Sequence, residues 1–419
     1  MKDSLLSLFP AAEYERRLER IVAQMHERGI DALILTSDEN TYYFSGLRSI
    51  VWCSKVSTPG VMVITDDGST AIATAKGGVE TAKATASVED IRCYGTDEYP
   101  SYAKAIVSLL AEKGKLQGRV GMEFGTGHKM HLNYDMTQQL FHELRGAEMI
   151  DAAEILWKVR SIKSPLEIAA LRKACEINTM GIERGFDQVH SGTTELELNA
   201  MIMEEYYRLG AEFSLTLGVR AGADRYSQGN CPPSRRPIRE GEIILVDGGP
   251  SYDGYVSDII REAVIGKPTE YQQEMFDVAR EACYRGIEAM KPGRPIREVV
   301  KVVDDFMDNS KFAEVNVYRH WCGHSIGVGV HEYPMLDSST DTELAPGMVF
   351  AIEPYSSFLL IFPAAARFAA QRMHLYVYRV IRRGASCSSC GFGPPLKILA
   401  AMASVTTAPM GIAMQYNRK

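Results

Sequence analysis

The sequence predicts an α+β protein in which an α/β domain is followed by a duplicated domain whose C-terminal strand is lost. Three observations predict this. Two segments read alike, EGEIILVDGG (240–249) and PGMVFAIEPY (346–355): each has a glycine, then a β-rich apolar run, then a carboxylate six residues after the glycine, Gly241 to Asp247 and Gly347 to Glu353. Each copy is preceded by two helical patterns, the mark of a duplicated unit. Upstream of both, helix and strand patterns alternate. The boundaries read as 1–158 for the first domain, 159–355 for the duplicated one and 356–419 for an atypical tail.

In the first domain, residues 13–29 read as an amphipathic helix ended by Gly29. DALILTSD (31–38) reads as a strand, with NTYYFSGL following at a turn. VMVIT (61–65), the DDG turn and TAIATA (70–75) read as a hairpin, and RVGMEFG (119–125) as a further strand. Cys53, Cys93, His128 and His131 lack metal-ligand spacing and read as packing or surface residues. In the second domain, Ser164, Pro165 and Glu167 form a helix start with a capping box, and Leu171, Cys175 and Ile182 follow at helical spacing. Thr194 and Glu197 open a second helix in the same way. A hairpin spans 242–265; then come a helix from Thr269 to Met290, a second helix IREVVKVVDDFMD, and the PGMVFAIEPY strand.

Composition narrows the function. The net charge of −7 argues against a general nucleic-acid binder, and no window approaches 18 uninterrupted apolar residues, so no membrane span is expected. The apolar stretch near the N-terminus is too short for a signal-peptide core. Eight cysteines scattered over 419 residues fit reduced thiols in a cytoplasmic protein. All 53 acidic residues lie at or before Glu353, while residues 354–419 hold eight Lys and Arg and no acid, a sharp break.

The chemistry concentrates in three places. Asp253-Gly254 signals a type I′ turn. If these are the central residues, Tyr252 faces Tyr255, Asp247 faces Ile260, and Asp258 is diagonal to Asp247 on the same face, roughly 7–8 Å away. Two such carboxylates can share divalent cations, although taken alone each reads as an ordinary turn or surface aspartate. HWCGHSIGVGVHEYP (320–334) holds His324 and His331 between glycines and is expected to be an accessible loop. A neutral imidazole suits Zn, Mn, Co or Fe, but the spacing is neither HExxH nor CxxC. Glu353 joins the set through its match to Asp247. The single Cys387-Ser-Ser-Cys390 pair lacks a second Cys/His pair and is a weak zinc candidate.

Together these pieces resemble the metallopeptidase family of methionine aminopeptidase, aminopeptidase P, prolidase and creatinase, with its pita-bread fold, over about residues 10–355. NTYYFSGL resembles the creatinase/prolidase N-terminal domain. The resemblance implies that Asp247, Asp258, His324 and Glu353 are four of five ligands to two divalent cations (Mn, Co, Zn or Fe). It also implies that His331 hydrogen-bonds the substrate carbonyl and the tetrahedral intermediate, and that Glu353 takes the proton of the nucleophilic water. The substrate implied is a peptide or small amide of the Xaa-Pro type, and the assembly a homodimer. Two alternatives stand beside it: a non-catalytic pita-bread binding protein, and a creatinase-like C–N hydrolase, disfavoured because four ligand types are kept.

The sequence departs from the family twice. The fifth ligand is a bridging glutamate on the strand returning after AIEP. Asp258 lies 11 residues after Asp247, which places its mirror near Ala364, and no acid exists beyond Glu353. The chain as it stands is then inactive or a weak metal binder, and a shifted reading frame after about Ser356 explains the tail better than divergence. Prolidases and aminopeptidases also carry a histidine in the loop before the Asp247 strand, whereas RAGADRYSQGNCPPSRRPI has none, and no His occurs between 190 and 320. Sequencing the gene tests the frame idea. An alternative frame after codon 356 is expected to encode a strand-like segment with Glu, and its absence refutes the shift.

Overall fold

Tyr14, Arg17, Ile21 and Met25 recur at helical spacing, and they form the buried face of helix α1 (Ala11–Arg28). Gly29 ends it in the left-handed region at φ 62°, where the N–H groups of Gly29 and Ile30 return to the carbonyls of His26 and Met25. The structure is a computed structural model that describes residues 1–53, 60–226, 228, 231–316, 319–354 and 379–380. The tail assigned to 356–419, with its possible frameshift and its CxxC pair, lies outside the described residues except for 379–380. The chain divides into two compact units, 1–161 and 162–419.

After α1, the first unit contains β1 (Ala32–Leu35), α2 (Asp38–Ser45), β2 (Val61–Thr65), β3 (Thr70–Ala75), α3 (Val79–Thr85), β4 (Ile91–Tyr94), α4 (Tyr102–Glu112), β5 (Arg119–Met122), α5 (Tyr134–Glu143), β6 (Glu148–Asp151) and α6 (Ala153–Arg160). Among the described residues its sheet runs β4-β3-β2-β1-β5-β6, with β2 antiparallel to both neighbours and the other pairs parallel. Every residue of β1 and β2 is buried, as expected of strands covered on both faces. The turn expected at NTYYFSGL is instead helix α2. Ser37 caps it by accepting the Asn40 N–H, Asp38 and Glu39 occupy its first turn, and Gly46 ends it. Cap chemistry outweighs the strand preference of Thr41, Tyr42, Tyr43 and Phe44.

The second unit contains α7 (Pro165–Gln188), α8 (Glu195–Arg208), β7 (Ser214–Ala221), β8 (Ile243–Tyr252), β9 (Tyr255–Val256), β10 (Arg261–Val264), α9 (Glu270–Ala289), α10 (Ile296–Asp308), β11 (Trp321–Ser325), β12 (Glu332–Asp337), β13 (Val349–Ile352) and β14 (Arg379–Val380). Capping boxes start α7 at Ser164/Glu167, α8 at Thr194/Glu197 and α9 at Thr269/Gln272. One sheet has the order β10-β8-β7, with β9 also on β8, and the other β12-β11-β13-β14. Val299, Val300, Val303 and Met307 of α10 pack with Cys322, Phe350 and Ile352 in one buried cluster.

Asp253 and Gly254 both have positive φ, 48° and 73°, as the type I′ turn requires. Tyr252 pairs with Tyr255, and the same register continues to Arg261 opposite Val246. Between these ladders Ser257 N donates to Pro250 O and Ile259 N to Gly248 O, so the pairing holds through a stretch that is not regular strand. Two readings need correction. His324 is not on an accessible loop: it is buried on strand β11, whose residues Gly323–Ser325 pair with β13, while His331 does lie in the exposed connection between β11 and β12. Strand β7 was not foreseen at all. The lost C-terminal strand falls mostly outside the described residues. Within them, Arg379 and Val380 pair antiparallel with Phe350 and Val349.

Two predictions test this framework. Glu167 is fully buried; one oxygen accepts from Ser164 N at 2.9 Å and the other from the Tyr255 hydroxyl at 3.0 Å, tying the start of α7 to β9. Glu167→Ala is expected to cost about 3 kcal/mol in urea unfolding, since two buried donors lose their acceptor. In the first unit, the hydrogen bond to Asp38 at 3.0 Å raises the pKa of His131 against the effect of burial. This stabilisation is fully present below the unfolded-state pKa of about 6.5 and is lost as pH rises through the raised folded value. NMR titration is expected to show the raised midpoint, and Asp38→Asn to bring it back toward the ordinary one.

Candidate metal centre

His324 is the centre of the site. It sits on β11 opposite Ala351 of β13, and its side chain is fully buried. Its Nδ1 lies 2.9 Å from the Ser325 carbonyl, which can only accept, so Nδ1 carries a proton and Nε2 faces away. Glu353 N donates to Cys322 O at 2.7 Å, which puts Glu353 diagonal to His324 on one sheet face. Glu353 Oε1 stands 2.6 Å from His324 Nε2, and neither atom makes a well-directed hydrogen bond. Gly323 makes this approach possible: a Cβ there would collide with the Ala351 carbonyl.

Asp258 joins from the first half of the duplication. Its Oδ2 is 3.7 Å from His324 Nε2, and it is buried. One ligand atom each from Asp258, His324 and His331 falls within 4.8 Å of the others. His331 opens strand β12 from the exposed side, with its ring 4.1 Å from that of His324. Asp247 takes the place on β8 that the hairpin register predicts, but its Oδ2 is 3.2 Å from Arg220 Nη2. Of the five residues expected, four therefore converge around His324, and Asp247 borders the cluster beside an arginine.

The electrostatics follow from this crowding. Burial, then the charges of Asp247 and Glu353, push the Asp258 pKa well up, and His324 offsets part of this. Burial disfavours charge on His324, but Glu353 and Asp258 outweigh it and raise its pKa to about 9. Burial and the neighbouring His324 lower that of His331, so it is neutral at physiological pH. Carboxylates packed this closely call for a positive charge between them. Two oxygen donors and an imidazole whose Nε2 can exchange its proton for a metal, with buried Nε2 and Oε1 atoms that lack a directed hydrogen bond, fit a divalent transition metal.

Residues not singled out from the sequence brace the site. Asn178 Nδ2 donates to Gly248 O at 2.7 Å and to Ser257 Oγ at 3.1 Å, and so grips the neighbours of both Asp247 and Asp258. The Tyr206 hydroxyl donates to Asn178 Oδ1 and fixes the amide's orientation. Lys163, buried, donates to Ser325 Oγ and Glu332 Oε2, while Glu332 Oε1 accepts from Gly329 N. The residues after His324 and after His331 are thereby tied to one ammonium. Neither Asn178 nor Lys163 carries a sequence signal for this role, since the partners that matter here are distant in the chain. Arg220 had one, an arginine within the alternating run LTLGVRA.

The chain matches known proteins throughout this region. Residues 169–380 match the model of metallopeptidase family M24, and residues 17–162 that of the creatinase/prolidase N-terminal domain. An Xaa-Pro dipeptidase of Pyrococcus furiosus is 27% identical over 340 residues, covering 81% of this chain and 90% of that protein. The structure of an Xaa-Pro dipeptidase from Bacillus anthracis aligns with a TM-score of 0.72 at 25% identity, covering 86% of this chain and 93% of the other. A prolidase from Thermococcus sibiricus shares the fold with a TM-score of 0.74 at 21% identity, covering 88% and 95%. No described helix is long and apolar enough to cross a membrane. The chain belongs to the metallopeptidase family M24 and carries the creatinase/prolidase N-terminal domain.

Proposed function

We propose that the chain is a divalent-metal-dependent dipeptidase of the Xaa-Pro type, with Asp258, His324 and Glu353 as metal ligands, Asp247 beside them, and His331 and Glu353 as the groups that act on substrate. One observation carries the reading: buried Nε2 of His324 and Oε1 of Glu353 converge beside Asp258 without a directed hydrogen bond. The names of the relatives supply the substrate class. The family pattern implies two cations of Mn, Co, Zn or Fe; a homodimer and a cytoplasmic location, also implied by it, complete the proposal.

When bound, a divalent cation supplies Lewis-acid polarisation of the scissile carbonyl and lowers the pKa of water toward about 7. The side chains do the rest. Glu353, beside His324, accepts the proton of the attacking water and can pass it to the leaving amine. His331, neutral and on the exposed side of the cluster, donates a hydrogen bond to the carbonyl oxygen as negative charge develops on it. The residue after it, Glu332, is anchored by Lys163, which fixes the backbone beside the ring.

One observation favours a second reading, a binding module without turnover: no acid follows Glu353, so the bridging carboxylate of the family pattern has no side chain to supply it. A panel of Xaa-Pro dipeptides and small amides with Mn or Co decides between the two. Turnover of Xaa-Pro dipeptides supports the peptidase, turnover of small amides alone points to a creatinase-like hydrolase, and none at all points to the binding module.

Three variants test the roles. His324→Ala is expected to abolish both metal retention and activity, read by metal analysis and dipeptide hydrolysis. His331→Ala is expected to keep the metal and to lose about 10²–10³ in kcat, the scale of one lost transition-state donor. Asn178→Ala is expected to weaken metal affinity by roughly 10–100-fold, as loss of a group that orients ligands does. Unchanged affinity in a folded Asn178→Ala protein refutes the bracing role.

A further inference from the structure

We infer that this chain holds one divalent cation rather than two, at Asp258, His324 and Glu353, and that the guanidinium of Arg220 stands beside Asp247 as the second positive charge. The inference rests on the metal-dependent reading above. Two divalent ions bring four positive charges into a site where water is scarce, and such a site needs a matching number of anions. The described cluster has three carboxylates, Asp247, Asp258 and Glu353, and the charges acting on Asp258 are those of Asp247, Glu353 and His324. The sequence beyond Glu353 has no Asp or Glu side chain to add a fourth.

Arg220 changes the count further. It lies on β7 opposite Leu245, is 2% exposed, and points Nη2 at Asp247 Oδ2 from 3.2 Å, while its Nη1 donates to Gln228 O at 3.4 Å. A guanidinium keeps its charge at any working pH. Three carboxylates and one guanidinium sum to the charge that one divalent ion balances. Geometry agrees: Asp258, His324 and Glu353 share a point around His324 Nε2, whereas Asp247 turns an oxygen to Arg220.

The test is metal stoichiometry of the full-length chain loaded with Mn²⁺ alone, then desalted, read by elemental analysis and by electron paramagnetic resonance. The expected result is one ion per chain with an uncoupled Mn(II) signal. Asp247→Asn is expected to keep that ion, while Glu353→Gln loses it. Arg220→Met is expected to take up a second Mn²⁺ at least tenfold more tightly than the natural chain, and Arg220→Lys, which keeps the charge, is not. Two tightly held, spin-coupled ions in the natural chain overturn the inference, as does loss of the ion in folded Asp247→Asn. A folded Arg220→Met protein with no second ion overturns the role of the arginine. No ion at all in the natural chain refutes the ligand set, and with it the metal-dependent reading on which the inference rests.

Discussion

Two carboxylates, Asp258 and Glu353, crowd one buried imidazole with Asp247 at their border, and the second unit is arranged around that constraint. Asp258 and Glu353 are almost wholly covered, and His324 entirely. Taking carboxylates out of water costs several kcal/mol each unless an opposite charge answers them. His324 answers in part, by holding its proton to about pH 9. A proton on an imidazole is a poor substitute for a divalent ion, because it neutralises one charge and leaves the rest in repulsion. The crowding therefore has no structural benefit of its own and makes sense as a place for a metal.

Such a cluster persists only if the backbone cannot relax away from it. Register does the first part of this work: β8 and the segment returning to β10 keep one pairing from Tyr252 to Val246, which fixes Asp258 across from the Asp247 strand. Bracing does the second. Asn178 holds Gly248 and Ser257 together across the hairpin, and Lys163 holds Ser325 and Glu332 together across β11 and β12. Each brace touches the residue beside a functional one. Each is itself buried and hydrogen-bonded, so it transmits position rather than charge to the site.

The sequence was legible where physics is local. Capping boxes at Ser164 and Thr194, the helix start at Thr269 and the turn at Asp253-Gly254 depend on residues within four positions, and all four are readable. The carboxylates Asp247 and Glu353 were readable because duplication repeats the glycine-to-acid spacing. What failed was non-local. The His324 stretch looked like a loop because its glycines hide a strand that only β13 makes regular. The Thr-Tyr-Tyr-Phe run reads unlike a helix because Ser37, its cap, reads as the end of the strand DALILTSD, whereas β1 stops at Leu35. Lys163 and Asn178 find their partners 162 or more and 70 or more residues away, a distance at which no pattern in the chain connects them.

The duplication makes Asp247 and Glu353 equivalent in sequence, but their surroundings make them different chemically. Asp247 is about a third exposed and faces a guanidinium; Glu353 is nearly buried and faces an imidazole. A guanidinium keeps its proton, so Asp247 faces a fixed positive charge. An imidazole can give its proton up, so the charge that Glu353 faces can change. The two copies of one strand differ in this way because their partners come from different elements: an arginine on β7 and a histidine on β11.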